Sequence, residues 1–179
     1  MKLIKEFYRN RYFKQIQTQT DAGKAHITYP LDFSGIKTAV IVFSEGHVQK
    51  GLVPIIKSNI QKNWKWMDIY LIHCGKFAKE ELNFWGFLNE PAGEKFRQLK
   101  NSMVFSLLSE EDHLGKYLLT IIPSSYSIGI HSEYFNREFC NIVLKSSRDF
   151  SKHPNPEDGA KLFDTLLQFQ KATVPEAES

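Results

Sequence analysis

Short unbroken apolar runs recur along the chain, separated by longer amphipathic stretches. Three of these runs span residues 38–45 (TAVIVFSE), 67–74 (MDIYLIHC) and 102–109 (SMVFSLLS). They are rich in β-branched and large aliphatic side chains and lack strict alternation. Strands of a parallel sheet, which are covered on both faces, have this pattern. The three runs therefore predict the core strands of an α/β fold.

Stretches with helical spacing follow the strands. Residues 47–62 predict a helix that Gly51 and Pro54 weaken or kink near its start. Residues 92–100 predict a short helix, and another begins after Ser109, which the acidic turn ending at Asp112 marks as a helix cap. A last helix starts at Pro156, a residue suited to a first helical turn. Between residues 76 and 91, both a short helix and a hairpin fit the pattern.

Two further runs, 126–131 and 139–145, predict strands whose short connection leaves open an antiparallel or a parallel pairing. Together the pieces predict a Rossmann-like α/β sandwich whose mostly parallel central sheet has about five strands. We expect an added basic amphipathic helix at residues 1–20, a single α/β domain at 36–172 and a frayed tail at 173–179.

Composition narrows the class of protein. The 179 residues are 42% hydrophobic and include only two cysteines, which excludes a disulfide scaffold and argues against disorder. No apolar stretch is long enough to cross a bilayer, and the charged start does not resemble a signal peptide. We therefore expect a cytoplasmic protein. Neither cysteine has a zinc-ligand partner at the usual spacing, so we expect no metal.

The net charge of +3 is small and does not favour nucleic acid as the partner. The positive charge is concentrated near the start, where Glu6 is the only acidic residue up to residue 14. The candidate surface-binding residues there are Lys2, Lys5, Arg9 and Arg11. Such a helix suits an anionic membrane or RNA phosphates. Packing against the sheet or against a second copy, as in a homo-oligomer, is the favoured alternative.

Polar residues gather where the predicted strands end. Because parallel strands end at one edge of the sheet, these residues are candidates for a common site. The catalytic candidates are Glu45, His47, His73 and His113, and the ligand-binding candidates are Ser44, Gly46, Ser109 and Trp85. Neither a phosphate-binding glycine motif nor a nucleophile elbow accompanies them, so the sequence implies no cofactor. Ordinary loop-facing side chains remain the simpler interpretation.

The order of these pieces resembles a family of small bacterial single-domain α/β proteins classed as a domain of unknown function. The segments that carry the resemblance are IKTAVIVFSEGH, DIYLIHCGK, NFWGFLNEP, VFSLLSEEDHLGKYL and the closing YSIGI and FCNIVL pair. That family has a tryptophan-glycine-lysine-proline-like turn, for which this chain has Phe84-Trp85-Gly86-Phe87 and a later Pro91. The resemblance implies the fold and a basic N-terminal helix, and no activity.

Ser127-Ile128-Gly129-Ile130 is also similar to a piece of the N-terminal Rossmann-like half of heptosyltransferase-type glycosyltransferases. A shared scaffold does not carry function. The sequence thus favours a binding or interaction domain over an enzyme. One alternative is a small-molecule or nucleotide-sugar transferase or hydrolase at the strand ends. The other is association with a membrane or nucleic acid through the basic N-terminal helix.

Overall fold

The computed structural model describes residues 11, 14, 27, 30–44, 47–108, 112–130, 139–144 and 156–171. The strands within these residues are β1 (Thr38–Phe43), β2 (Asp68–His73), β3 (Ser102–Ser106), β4 (Ser124–Gly129) and β5 (Ile142–Val143). The α-helices are α1 (His47–Asn63), α2 (Glu90–Arg97), α3 (His113–Ile121) and α4 (Pro156–Lys171). All three unbroken apolar runs of the sequence contain a strand, as predicted.

The five strands form one parallel sheet in the order β2-β1-β3-β4-β5. The predicted Rossmann-like α/β fold is confirmed. β4 and β5 also pair parallel, which settles the pairing that the sequence left open. The chain adds β2 on one side of β1 and then returns to add β3 on the other side. This reversal between β1 and β3 is the topological switch point of a doubly wound sheet, where ligands bind in such folds.

Helices cover both faces of the sheet. Because β1 is buried on both faces, its apolar residues do not alternate with polar ones. Ala39 and Ile41 pack into the core beneath α1 and α4, whereas Val40 and Val42 pack into the core beneath α2 and α3. All four side chains are fully buried. A strand buried on both faces can be apolar at every position, which is the pattern seen in the sequence.

Aromatic residues join the segment before β1 to the helical layer formed by α1 and α4. The Phe33 ring packs edge-on against Trp64 and Tyr126, and Trp64 lies against Phe163 of α4. Trp64, which follows α1, is buried and donates from Nε1 to Gln170 Oε1 over 3.2 Å. It is therefore a core residue.

Several element boundaries differ from the sequence expectations. α1 continues through Pro54 to Asn63. The N-cap of α3 is Asp112, three residues later than Ser109, so the predicted cap was wrong. β5 contains only two residues of the predicted 139–145 run.

The segment between β2 and α2 is neither a regular helix nor a regular hairpin. It consists of two 3-10 turns, Cys74–Lys76 and Lys79–Glu81, and a tight turn closed by an antiparallel bridge between Leu82 and Leu88. Gly86, with φ of +84°, occupies the left-handed position of that turn. The segment covers the α2 and α3 face of the sheet next to β2.

Candidate functional site

One hydrogen bond links two elements on either side of the switch point. Ser44 is the first residue after β1, and Asp112 is the N-cap of α3, the helix that follows β3. Ser44 Oγ donates to Asp112 Oδ2 over 3.1 Å. Since β1 and β3 are the strands between which the winding reverses, this polar pair lies where a doubly wound sheet opens a ligand crevice.

Asp112 does not use its side chain as an N-cap residue normally does. A capping carboxylate accepts from an N–H group of the first helical turn, but Asp112 makes no such bond. Its main-chain carbonyl accepts the helical bond from Lys116 N over 2.9 Å, while its carboxylate accepts from Ser44. The carboxylate is therefore directed across the carboxyl edge of the sheet and away from its own helix.

His73 and Cys74 leave the end of β2 on opposite faces of the sheet. His73 stacks edge-on against Phe43 on the α1 and α4 side, with ring centroids 4.9 Å apart, and its Nδ1 accepts from Gly75 N over 3.1 Å. Cys74 packs against the core on the α2 and α3 side. The two side chains point to opposite faces of the sheet, so they form no catalytic dyad.

The Cys74 thiol lies close enough to Asp112 to sense its charge. Burial, and secondly the negative charge of Asp112, raise the pKa of Cys74 to about 12. Burial also raises the pKa of Cys140 to about 12, although a hydrogen bond with the Ser106 hydroxyl opposes that rise. Because the thiolate is the nucleophilic form of cysteine, neither thiol is activated at neutral pH.

The structure brings together some of the candidates that the sequence singled out. Ser44 lies at the switch point, and His113 follows Asp112 as the half-buried first residue of α3. The backbone of His47 begins α1 directly after β1, at the same edge, but its side chain lies outside the described residues. Glu45, Gly46 and Ser109 also lie outside them.

Trp85 belongs to a different environment. It is half-buried against the core on the α2 and α3 side, and its ring contacts Phe84 edge-on at 4.9 Å. Of the basic candidates, Arg11 is helical and exposed, whereas Lys2, Lys5 and Arg9 lie outside the described residues, as does most of the predicted N-terminal helix.

The sequence pattern marked Asp112 as part of a helix start and did not place it among the ligand-binding candidates. Its position after a strand and before an apolar helix is also that of an ordinary capping residue, and the two roles use the same residue types. The informative feature of the sequence was Ser44 near the end of the first buried run, because it places a hydroxyl at the sheet edge where the Asp112 carboxylate lies.

Within the described ranges, no group of three or more His, Cys, Asp or Glu side chains could hold a metal ion. No described helix combines the length and apolar character needed to cross a membrane.

The fold and the polar pair define a doubly wound α/β domain with a candidate ligand site at its switch point. Comparison of the chain with protein-family models, with curated proteins and with solved structures gives no match. The resemblances to the bacterial family and to heptosyltransferase-type enzymes therefore stay predictions.

Proposed function

We propose that this chain is a binding domain for a small polar molecule, held at the carboxyl edge of the sheet between β1 and β3. The observation that carries the proposal is the Ser44–Asp112 hydrogen bond across the switch point. Ligands of open parallel sheets bind outside the carboxyl ends of the strands at this place. The polar pair supplies the few well-placed hydrogen-bonding groups that orient a ligand in such a crevice.

The charge of the pair indicates the class of ligand. An ionised carboxylate only accepts hydrogen bonds, and Asp112 already accepts from Ser44 at Oδ2. A carboxylate suits a ligand with hydroxyl or amino donors, such as a sugar, a ribose or an amine. A phosphate group placed against Asp112 would be repelled. We therefore assign the donor-rich part of a ligand to this pair.

Binding fits the local chemistry better than catalysis by a cysteine or serine nucleophile. The pKa of Cys74, raised to about 12, keeps its thiol protonated at neutral pH. Ser44 donates directly to a carboxylate, whereas an activated serine donates to a stronger base such as histidine. The Ser44 hydroxyl and the Asp112 carboxylate then act as hydrogen-bonding partners of a ligand.

A thermal-shift screen tests the proposal, since a molecule that binds only the folded state raises the melting temperature by mass action. The panel contains free sugars, nucleosides, sugar nucleotides and polyamines. We expect a sugar, nucleoside or amine to stabilise the wild-type chain and to lose most of this effect in Ser44→Ala and Asp112→Asn. Losing a hydrogen bond to a charged group reduces affinity by about tenfold or more.

Matched controls separate a local effect from a general one. Ser58→Ala changes an exposed serine of α1, and Asp164→Asn changes an exposed aspartate of α4. Both controls should keep the full ligand-dependent shift. A shift that survives in Ser44→Ala and Asp112→Asn would place the ligand elsewhere, and stabilisation by no member of the panel would contradict the assigned ligand class.

A further inference from the structure

A third side chain lies at the corner of the sheet where Ser44 and Asp112 meet. β1 and β2 pair in unbroken parallel register up to the pair formed by Phe43 and His73. Ser44 and Cys74 are the residues that directly follow these two strands. Because parallel strands in register end together, the register places Ser44 and Cys74 side by side at the carboxyl edge of the sheet.

Ser44 and Cys74 also lie on the same face of the sheet. Cys74 packs against the core on the α2 and α3 side, whereas His73 packs against Phe43 on the other side. Ser44 Oγ reaches the carboxylate of Asp112 at the start of α3 over 3.1 Å, so its side chain is on the α3 side as well. The hydroxyl, the carboxylate and the thiol therefore come together from the ends of β1 and β2 and the start of α3.

The electrostatics of the two cysteines agree with this placement. Burial, and secondly the negative charge of Asp112, raise the pKa of the Cys74 thiol. Burial raises the pKa of Cys140 too, but that thiol faces the Ser106 hydroxyl. Cys74 is also partly exposed, whereas Cys140 is buried. A molecule that enters the crevice from solvent can therefore reach Cys74.

A thiol at this place differs from a hydroxyl in the strength of its hydrogen bonds. The thiol is a weak donor and behaves as a small apolar group, whereas a serine hydroxyl is a full donor. A serine at position 74 would donate to the nearby Asp112 carboxylate and compete there with a donor of the ligand. Cysteine does not compete in this way.

We propose that Cys74 is a specificity-determining residue of the ligand site between β1 and β3, and this inference rests on the function proposed for that site. The sulfur forms an apolar wall beside Asp112. The ligand places a hydroxyl or amino donor on the carboxylate and the adjacent C–H group against the sulfur. Each hydroxyl of a sugar or ribose ring is carried on such a carbon, so these rings present both groups together.

Isothermal titration calorimetry of the full chain with glucose, adenosine, UDP-glucose and spermidine tests the proposal. For a probe that binds the wild-type chain, Cys74→Ser should raise the dissociation constant by about tenfold or more, because the new hydroxyl competes for a hydrogen bond to a charged group. Cys74→Ala removes the sulfur without adding a donor. It should raise the dissociation constant by only about threefold, through lost packing contacts.

The same two substitutions at the other cysteine are the matched controls. Cys140→Ser and Cys140→Ala change a thiol that faces Ser106, and both should leave the dissociation constant unchanged. Urea unfolding of all four variants records their stability. If Cys74 has only a structural role, Cys74→Ser and Cys74→Ala will change the free energy of unfolding but bind the probe equally well, which would overturn the proposal.

A double-mutant cycle tests whether position 74 acts through the carboxylate. Asp112→Asn removes the charge for which the added hydroxyl competes. In that background, Cys74→Ser should raise the dissociation constant by a smaller factor than it does in the wild-type chain, since substitutions that act through one shared group are not additive. Equal factors in the two backgrounds would mean that Cys74 acts on the ligand without Asp112, contrary to the proposal.

The outcomes separate this inference from the proposed function. If Cys74→Ser binds the probe as tightly as the wild-type chain, while Ser44→Ala and Asp112→Asn lose binding, the role of Cys74 is wrong and the proposed site stands. If binding survives in Ser44→Ala and Asp112→Asn, or if none of the probes binds the wild-type chain, the proposed function is wrong and the role of Cys74 is wrong with it.

Discussion

Gly159 of α4 lies directly against Ile55 of α1, so closely that a Cβ atom at position 159 would collide with Ile55 Cγ2. α1 and α4 are neighbours on the same face of the sheet. The missing side chain at Gly159 lets the two helix backbones approach. This contact fixes how the last helix of the chain closes the core beneath it.

We expect Gly159→Ala to destabilise the fold, even though alanine is favoured over glycine inside a helix by about 1 kcal/mol. The added methyl group must displace the β-branched Ile55 side chain, and overpacking of this kind costs about 1–3 kcal/mol. Urea unfolding measures the change. Gly35→Ala is the control, because a Cβ atom there has no neighbour within 4 Å and should change the free energy of unfolding by less than about 0.5 kcal/mol.

A double mutant separates this collision from a general effect on α4. Ile55→Ala removes the Cγ2 atom that the new methyl group would meet. In that background, Gly159→Ala should lower the free energy of unfolding by less than it does in the wild-type chain, since the effects of substitutions at residues in contact are not additive. Equal costs in the two backgrounds would mean that the close approach does not limit the packing of α4.

The apolar pattern predicted the strands well but could not predict their order. The runs at 38–45 and 102–109 carry apolar residues on both faces, and this local property identifies buried strands wherever they lie. Strand order depends on contacts between distant segments, such as the pairing of Ala39 with Met103, for which the sequence has no local signal. The contact between Gly159 and Ile55 could not be predicted either, because one glycine in a helical stretch does not indicate which residue packs against it.

The candidate site was only partly predictable for the same reason. Ser44 was recognised because the end of a buried run is a local feature. Asp112 was read as part of a helix start, which it is, but the direction of its carboxylate depends on where β1 lies in space. His73 was a candidate for the same local reason, and the structure adds that its ring packs edge-on against Phe43.

Asn83 organises the turn that presents Phe84 and Trp85. Its Oδ1 accepts from Trp85 N over 3.0 Å and from Phe87 N over 3.2 Å. Asn83→Ala removes both bonds and should destabilise the protein by about 1–2 kcal/mol. It should also shift the fluorescence emission of Trp85, which is half-buried.

Asn83→Asp is the informative comparison, because both bonds use only the side-chain oxygen as acceptor and a carboxylate can accept them equally. We expect this variant to unfold close to the wild-type midpoint at neutral pH. Loss of stability as large as that of the alanine variant would show that the side-chain amide has another role.

The two buried thiols predict a loss of stability at alkaline pH. The pKa of Cys74 and that of Cys140 are both raised to about 12 in the folded chain, from an ordinary value of 9.0. Between these values the unfolded chain releases thiol protons that the folded chain retains. The contribution of the protonated thiols to the free energy of unfolding is therefore fully present below pH 9.0 and is lost as the pH rises through about 12.

Each thiol should lower the free energy of unfolding by up to about 1.4 kcal/mol per pH unit within that window. Cys74→Ala and Cys140→Ala should each reduce the slope of stability against pH, measured by urea unfolding at successive alkaline pH values. Unchanged slopes in both variants would contradict the raised pKa values. Thiol titration of the folded protein at neutral pH should accordingly be slow, and fast once urea is added.

Gln170 accepts a hydrogen bond from the single polar side-chain atom of a buried tryptophan. Trp64 is 1% exposed between Phe33 and Phe163, and its Nε1 donates to Gln170 Oε1 over 3.2 Å. Gln170→Ala leaves this buried N–H without its acceptor, and such a loss lowers the free energy of unfolding by about 1–3 kcal/mol.

Gln170→Glu keeps an acceptor oxygen, and its stability should lie between that of the alanine variant and that of the wild type. Gln168→Ala, at an exposed position of the same helix, should be nearly neutral. Urea unfolding followed by tryptophan fluorescence measures all three, and equal effects of Gln170→Ala and Gln168→Ala would show that the bond contributes no stability.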